Sequence, residues 1–172
     1  MNPNDKAMAL VAESAVTVTH VRISTDKPYA SVKKAIESRL GRLSDHVREL
    51  LRLGKIEEVR AALTLAAGDA GLAIHYVGPH GDWLLLNGER KEATSYLIGN
   101  VLYAVQMTRV DLAAGLYAPL RVVLYASEDG GSVIEYDKPS TLFCQFGREE
   151  INTVAAILDQ RLSAVLLQAC AV

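Results

Sequence analysis

A chain of 172 residues with 50% hydrophobic and 22% charged side chains has the balance of a folded globular domain rather than a disordered one. Its formal net charge of −2, from 18 basic and 20 acidic residues, supplies no positive field for nucleic acid or an anionic lipid surface. No segment approaches the run of about eighteen uninterrupted apolar residues that a membrane-spanning helix requires, so a cytoplasmic protein with no membrane or nucleic-acid partner is expected.

Residues 1–14 (MNPNDKAMALVAES) lack the basic start and long apolar centre of an export signal. They are expected to be a flexible lead-in to a single domain spanning residues 1–172. Residues 16–23 (VTVTHVRI) are rich in β-branched side chains and predict a strand whose apolar phase slips at His20. "STDKP" follows as a helix start, with Thr25 or Asp26 as the capping oxygen and Pro28 in the first turn. Tyr29, Val32, Ile36, Leu40, Leu43, Val47 and Leu50 then recur at intervals of three and four, predicting one long helix kinked at Gly41 and ended by Gly54.

Ile56, Val59, Leu63 and Ala66 continue the same spacing in a second helix over residues 55–67. A hairpin is predicted next, from strands at 72–77 and 82–87 joined by "GPHG". "SYLIG" (95–99) predicts a short strand, and Asn100 a cap for a helix with Val101, Leu102, Val105 and Leu112 on one side. Residues 141–146 suit a further strand that would take in Cys144, with the two cysteines (Cys144 and Cys170) as small core residues. Residues 148–169 give the clearest helix, with the stripe Ile151, Val154, Ala155, Leu158, Leu162, Val165, Leu166 and Ala169. Tight turns between strands and several amphipathic helices together define an α+β fold: a two-layer sandwich with a mostly antiparallel sheet and helices on one face.

The hairpin at 116–140 has a register that can be derived. With "SEDGG" (127–131) as the loop, Ala126 pairs with Ser132, Leu124 with Ile134 and Val122 with Tyr136, forming a continuous apolar face. A slip of one residue would mix the two faces, which burial of one side forbids. The opposite face then sets Arg121 against Asp137, Val123 against Glu135 and Tyr125 against Val133. Arg121 and Asp137 have two readings. Exposed, they are a cross-strand ion pair contributing about 0.2–1 kcal/mol. Covered, Arg121 with Asp137 and Glu135 is a fixed group able to orient a carboxylate or phosphate ligand.

"YLIGN" (96–100), "GLYAPLRVVLY" (115–125), "GGSVIEYDKPS" (130–140) and the helix "INTVAAILDQRL" (151–162) are spaced as in bacterial domain-of-unknown-function family 302, which this chain resembles from Tyr96 to about Leu166. Two departures stand out: Val101 replaces the proline usual after Gly99-Asn100, and residues 42–67 form an extra helical segment. The resemblance implies a two-layer fold like that of the TATA-binding protein, with a curved antiparallel sheet. It carries no activity, and fold alone assigns none.

His75, His80 and Asp82 surround one turn, but their spacing matches no metal motif. His20 and His46 are isolated and read as structural. The glycine-rich stretches lack the strand-loop-helix context of a phosphate cradle. No metal or cofactor is therefore expected. Five of the seven tyrosines (Tyr96, Tyr103, Tyr117, Tyr125 and Tyr136) lie between residues 96 and 136. Such amphipathic rings suit pocket walls and interfaces. The expected ligand site comprises Tyr96, Asn100, Tyr117, Arg121, Tyr125, Glu135, Tyr136 and Asp137, with Arg121 or Asn100 as polar anchor. The leading expectation is a non-catalytic domain that binds a small, partly apolar or anionic ligand, self-associates as a homodimer, or both. The alternatives are a small-molecule enzyme with Asp137 or Glu135 as base beside Arg121, and a structural or partner-binding module.

Overall fold

The computed structural model describes residues 9–171; the first eight residues of the expected flexible lead-in lie outside the described range. Six strands form one curved sheet: β1 (His20–Thr25), β2 (Gly41–Arg42), β3 (Ala73–Gly78), β4 (Ala93–Gly99), β5 (Leu120–Ala126) and β6 (Ser132–Asp137). Their order across the sheet is β1-β6-β5-β4-β3-β2, antiparallel throughout except where β2 runs parallel to β3. The helices are α1 (Tyr29–Arg39), α2 (Asp45–Arg52), α3 (Ile56–Ala67), α4 (Val101–Thr108), α5 (Pro139–Phe143) and α6 (Glu149–Cys170).

One apolar core joins the sheet to α1 and α6. Val32 and Ile36 from α1, Tyr96 and Ile98 from β4, Val122 and Leu124 from β5 and Ile134 from β6 meet the stripe of α6. All eight residues of the predicted α6 stripe are buried. The hairpin register is also as derived, with Leu124 opposite Ile134 and Val122 opposite Tyr136. A smaller cluster of Leu50, Val59 and Leu63, with Leu43, Val47, Val101 and Leu102 packed against it, ties α2 and α3 to α4.

The long helix expected after Pro28 is instead two helices. Chain direction changes at Leu40, which is extended (φ −110°, ψ 129°), and Gly41–Arg42 becomes β2. A Cβ on Gly41 would sit 2.1 Å from the carbonyl oxygen of Ala66, so only glycine allows the strand to lie against α3. Ser44 then starts α2 by accepting a hydrogen bond from the His46 amide at 3.2 Å. The apolar spacing runs unbroken through this turn because Leu43, Val47 and Leu50 serve the smaller cluster while Val32 and Ile36 serve the main one. At the head of α1, Pro28 itself holds the cap position; the Thr25 hydroxyl accepts from the Lys27 amide instead.

Three further expectations are corrected. Residues 82–87 are not a strand: His80–Asn87 form a 3-10 segment and β3 pairs directly with β4. "DWLLLN" has no β-branched residue and no alternation, so little favours extension there. Residues 141–146 form the end of α5 and a 3-10 turn rather than a strand; Pro139 at the first helical position starts α5, and Cys144 is exposed. Finally, α4 stops at Thr108, Val105 and Leu112 are exposed, and Met107 is the buried residue.

Leu162 is fully buried at the centre of α6. Leu162→Ala is expected to lower the unfolding free energy by about 2–5 kcal/mol. The measurement is a urea titration, in which the midpoint falls while the slope is unchanged; an unshifted midpoint would show that α6 does not close the core.

Candidate functional site

The sheet face turned away from the core is built from every second residue of each strand. Register aligns these residues in rows. One row crosses five strands: His20 opposite Asp137, Asp137 beside Arg121, Arg121 opposite Leu97, and Leu97 opposite Tyr76. The next row holds Arg22, Glu135, Val123, Ser95 and Gly78. The face is thus charged towards β1 and apolar towards β3. A depression of ≈ 400 Å³ lies over it, lined by His20, Tyr76, Leu97, Arg121, Val123, Glu135 and Asp137 among others. A second depression of ≈ 240 Å³ adjoins it, walled by Leu116, Tyr117, Pro119, Leu120 and Leu142 and again bordered by Arg121 and Asp137. Tyr117 is fixed there by edge-on contacts to Phe143 and Phe146, at centroid distances of 6.0 and 6.2 Å.

Glu135 is the hub of the charged end. Its carboxylate accepts from the Tyr125 hydroxyl at 2.5 Å, from His20 Nε2 at 2.8 Å and from Arg22 Nη1 at 3.3 Å. His20 Nδ1 lies 3.1 Å from Asp137 Oδ1. A ring protonated at both nitrogens can donate to both carboxylates at once, so this arrangement favours the imidazolium form of His20. The bond to Asp137, then that to Glu135, raises the His20 pKa above its ordinary 6.5. The Tyr125 hydroxyl, then His20, holds the Glu135 carboxyl below its ordinary range. The same bond to Glu135 raises the Tyr125 phenol.

The expected site residues separate. Arg121, Asp137, Glu135 and Tyr125 share the outer face, and Tyr117 walls its second depression. Asp137 bonds to His20, however, and Arg121 makes no ion pair among the described residues. Tyr96 and Tyr136 point into the core. The Tyr96 hydroxyl donates to Glu37 Oε1 at 3.3 Å, and burial raises its pKa far above the ordinary value. Tyr103 lies beneath the Arg161 guanidinium, 5.8 Å from the ring centroid. Asn100 is the cap of α4: its oxygen accepts from the Leu102 and Tyr103 amides at 2.8 and 3.4 Å, and one N–H of its nitrogen donates to the Gly71 carbonyl at 2.9 Å. The residue that sequence reasoning passed over is His20. Its signal was the phase slip at residue 20, which places it on the outer face while Val21 and Ile23 turn to the core. At the other turn, Asp82 pairs with Arg90 at 3.3 Å.

The family pattern described as "Domain of unknown function DUF302" matches residues 48–169. The chain belongs to this family. The match begins inside residues 42–67, the segment expected as an addition to the family pattern. No curated protein matches. Among solved structures, the "uncharacterized conserved protein DUF302 from Bacillus stearothermophilus" is similar with a TM-score of 0.62 and 17% identity, over 87% of this chain and 97% of that one. At that identity the likeness establishes the fold. Among the described residues, no helix is long and apolar enough to cross a membrane.

The cluster sets a pH window. The raised pKa of His20 gives a stabilisation fully present below about pH 6.5 and lost as pH rises through the folded value. The lowered pKa of Glu135 gives one present above about pH 4.5 and lost as pH falls through its folded value. Between these limits the cluster holds best. An NMR titration of the His20 ring is expected to give a pKa above 6.5 that returns towards 6.5 in Glu135→Gln with Asp137→Asn; an ordinary value in the unaltered protein would show that the bridge does not form.

Proposed function

We propose that this domain binds a small organic anion with an apolar body, laid across the outer sheet face with its charged end on Arg121. The observation that carries this reading is the position of Arg121. It is exposed, makes no ion pair among the described residues, and borders both depressions. Arginine on a strand is a pre-oriented fork for a carboxylate or phosphate. Around it the walls are apolar: Leu116, Tyr117, Pro119 and Leu142 on one side, Tyr76, Leu97 and Val123 on the other. A cleft of ≈ 400 Å³ is within the range of small-ligand sites. His20 supports the arrangement by engaging Asp137, the neighbouring carboxylate that would otherwise compete for the guanidinium.

Binding is favoured over catalysis by the state of Glu135. A base needs a free lone pair and a pKa near the working pH, whereas Glu135 accepts three hydrogen bonds and is held below its ordinary range.

The test is calorimetric titration with octanoate, using octanamide as the uncharged isostere. Octanoate is expected to bind more tightly, and Arg121→Ala to weaken it by roughly 10- to 100-fold, the worth of a charge-assisted hydrogen bond, without affecting octanamide. Octanoate affinity unchanged in Arg121→Ala, or no octanoate binding at all, overturns the reading.

A further inference from the structure

A third cavity, of ≈ 210 Å³, lies apart from the outer face, beside the first turn of α4. Its walls include His75, Gly99, Ala104, Met107, Pro119 and Leu158, contributed by β3, β4, α4, the chain leading into β5, and α6. It touches the second depression only through Pro119 and Leu120 and has no part of Arg121.

Size and lining limit what fits. An apolar cavity of about 150 Å³ is enough to admit a benzene ring, so this one holds a single ring with a small substituent. No lysine, arginine, aspartate or glutamate lines it. Leu158 and Met107 are buried side chains, and a thioether makes favourable contacts with aromatic rings. The amide of Asn100, also at the wall, uses its oxygen to cap α4 and one N–H on Gly71, so it offers no acceptor to a ligand.

The acceptor at the wall is the His75 ring. His75 sits at the register shift between Ile74 and Tyr76, so the ladder does not dictate its partner. Its Nε2 lies against Gly99, 3.5 Å from where a Cβ there would stand. Burial, the largest influence, lowers the pKa of the ring and so favours its neutral form, with Arg48 acting in the same direction. A neutral imidazole carries its N–H on one nitrogen and offers the other as an acceptor lone pair. A ligand complementary to these walls has an apolar ring, no charge and one hydrogen-bond donor.

We propose that this cavity is a second binding site, for an uncharged single-ring aromatic bearing one hydroxyl or N–H group, with the donor on His75 and the ring against Met107, Pro119 and Leu158. The site is independent of the anion reading, because it shares neither its ligand charge nor Arg121.

The test uses the full chain with 4-methylphenol, toluene and benzoate as probes, followed by calorimetry and by NMR. 4-Methylphenol is expected to bind roughly five- to ten-fold more tightly than toluene, the worth of one neutral hydrogen bond. His75→Leu removes that preference, and Ala104→Leu, which fills the cavity from a helical position, removes binding of both. Arg121→Ala leaves 4-methylphenol unaffected, which separates failure of this site from failure of the anion site. Benzoate gives no contact to Met107. In the unaltered protein, nuclear Overhauser contacts from the ring of 4-methylphenol to the Met107 methyl are expected, a readout that does not depend on any variant folding. No binding at millimolar concentration, equal affinity for toluene, or ring contacts that avoid Met107 would overturn the proposal.

Discussion

Leu124 and Ile134 lie opposite each other at the centre of the sheet, and neither has any accessible surface. Burying this pair against the helical layer commits one face of β5 and β6 to the core, and the two-residue period of a strand commits the other face to the outside. Every charge in the hairpin follows from that choice. Arg121, Glu135 and Asp137 all carry odd numbers, out of phase with Val122, Leu124, Ile134 and Tyr136, so a one-residue slip would drive either the two carboxylates of β6 or the guanidinium of β5 into apolar packing. Desolvating such groups costs more than the slipped pairing gains. The register is therefore held by the polar residues as firmly as by the apolar ones.

The same constraint sets up the competition for Asp137. It has a basic neighbour on each side, His20 on β1 and Arg121 on β5, because β6 lies between those strands. His20 bonds it, and Glu135 holds the other ring nitrogen. A histidine bridging two carboxylates is a better local neutralisation than one arginine shared with one carboxylate, since each donor then meets an ionised acceptor. The consequence is a guanidinium presented to solvent beside apolar walls. His20, Asp137 and Arg121 are exposed and Glu135 is half-buried, so the arrangement contributes little to stability; its effect is on which charges remain available.

What was legible in the sequence was local. The hairpin register and the stripe of α6 depend on residues near one another in the chain, and both hold in the structure. The bridge between His20 and Glu135 joins residues 115 apart, and nothing in either segment alone names the other as partner. The break at Gly41 was hidden for a different reason. Two short helices packing into two clusters kept one apolar rhythm, and only the 2.1 Å approach to Ala66 shows why a glycine stands between them. The tyrosines were misleading as a group because closeness in sequence was taken for convergence in space. Alternation sends Tyr96 and Tyr136 inward while Tyr125 stays outside, and the inner two are packing residues with satisfied or buried hydroxyls.

The segment leading into β5 unites the three cavities. Pro119 and Leu120 are common to the second depression and the cavity beside α4, and Arg121 is common to the two depressions that border the outer face. Moving along these three residues, the chemistry changes from an apolar pocket with one imidazole to an open face with a guanidinium that has no ion-pair partner among the described residues. This follows from where the chain crosses the sheet: Leu120 is buried inward, Arg121 must then face outward, and Pro119 precedes the strand, where it has no ladder hydrogen bond to break. The recognisable stretch "APLRVVLY" is thus a wall shared by two chemically different sites, and a substitution at Pro119 or Leu120 alters both. Residues at a single wall, such as Ala104 or Leu142, act on one site alone.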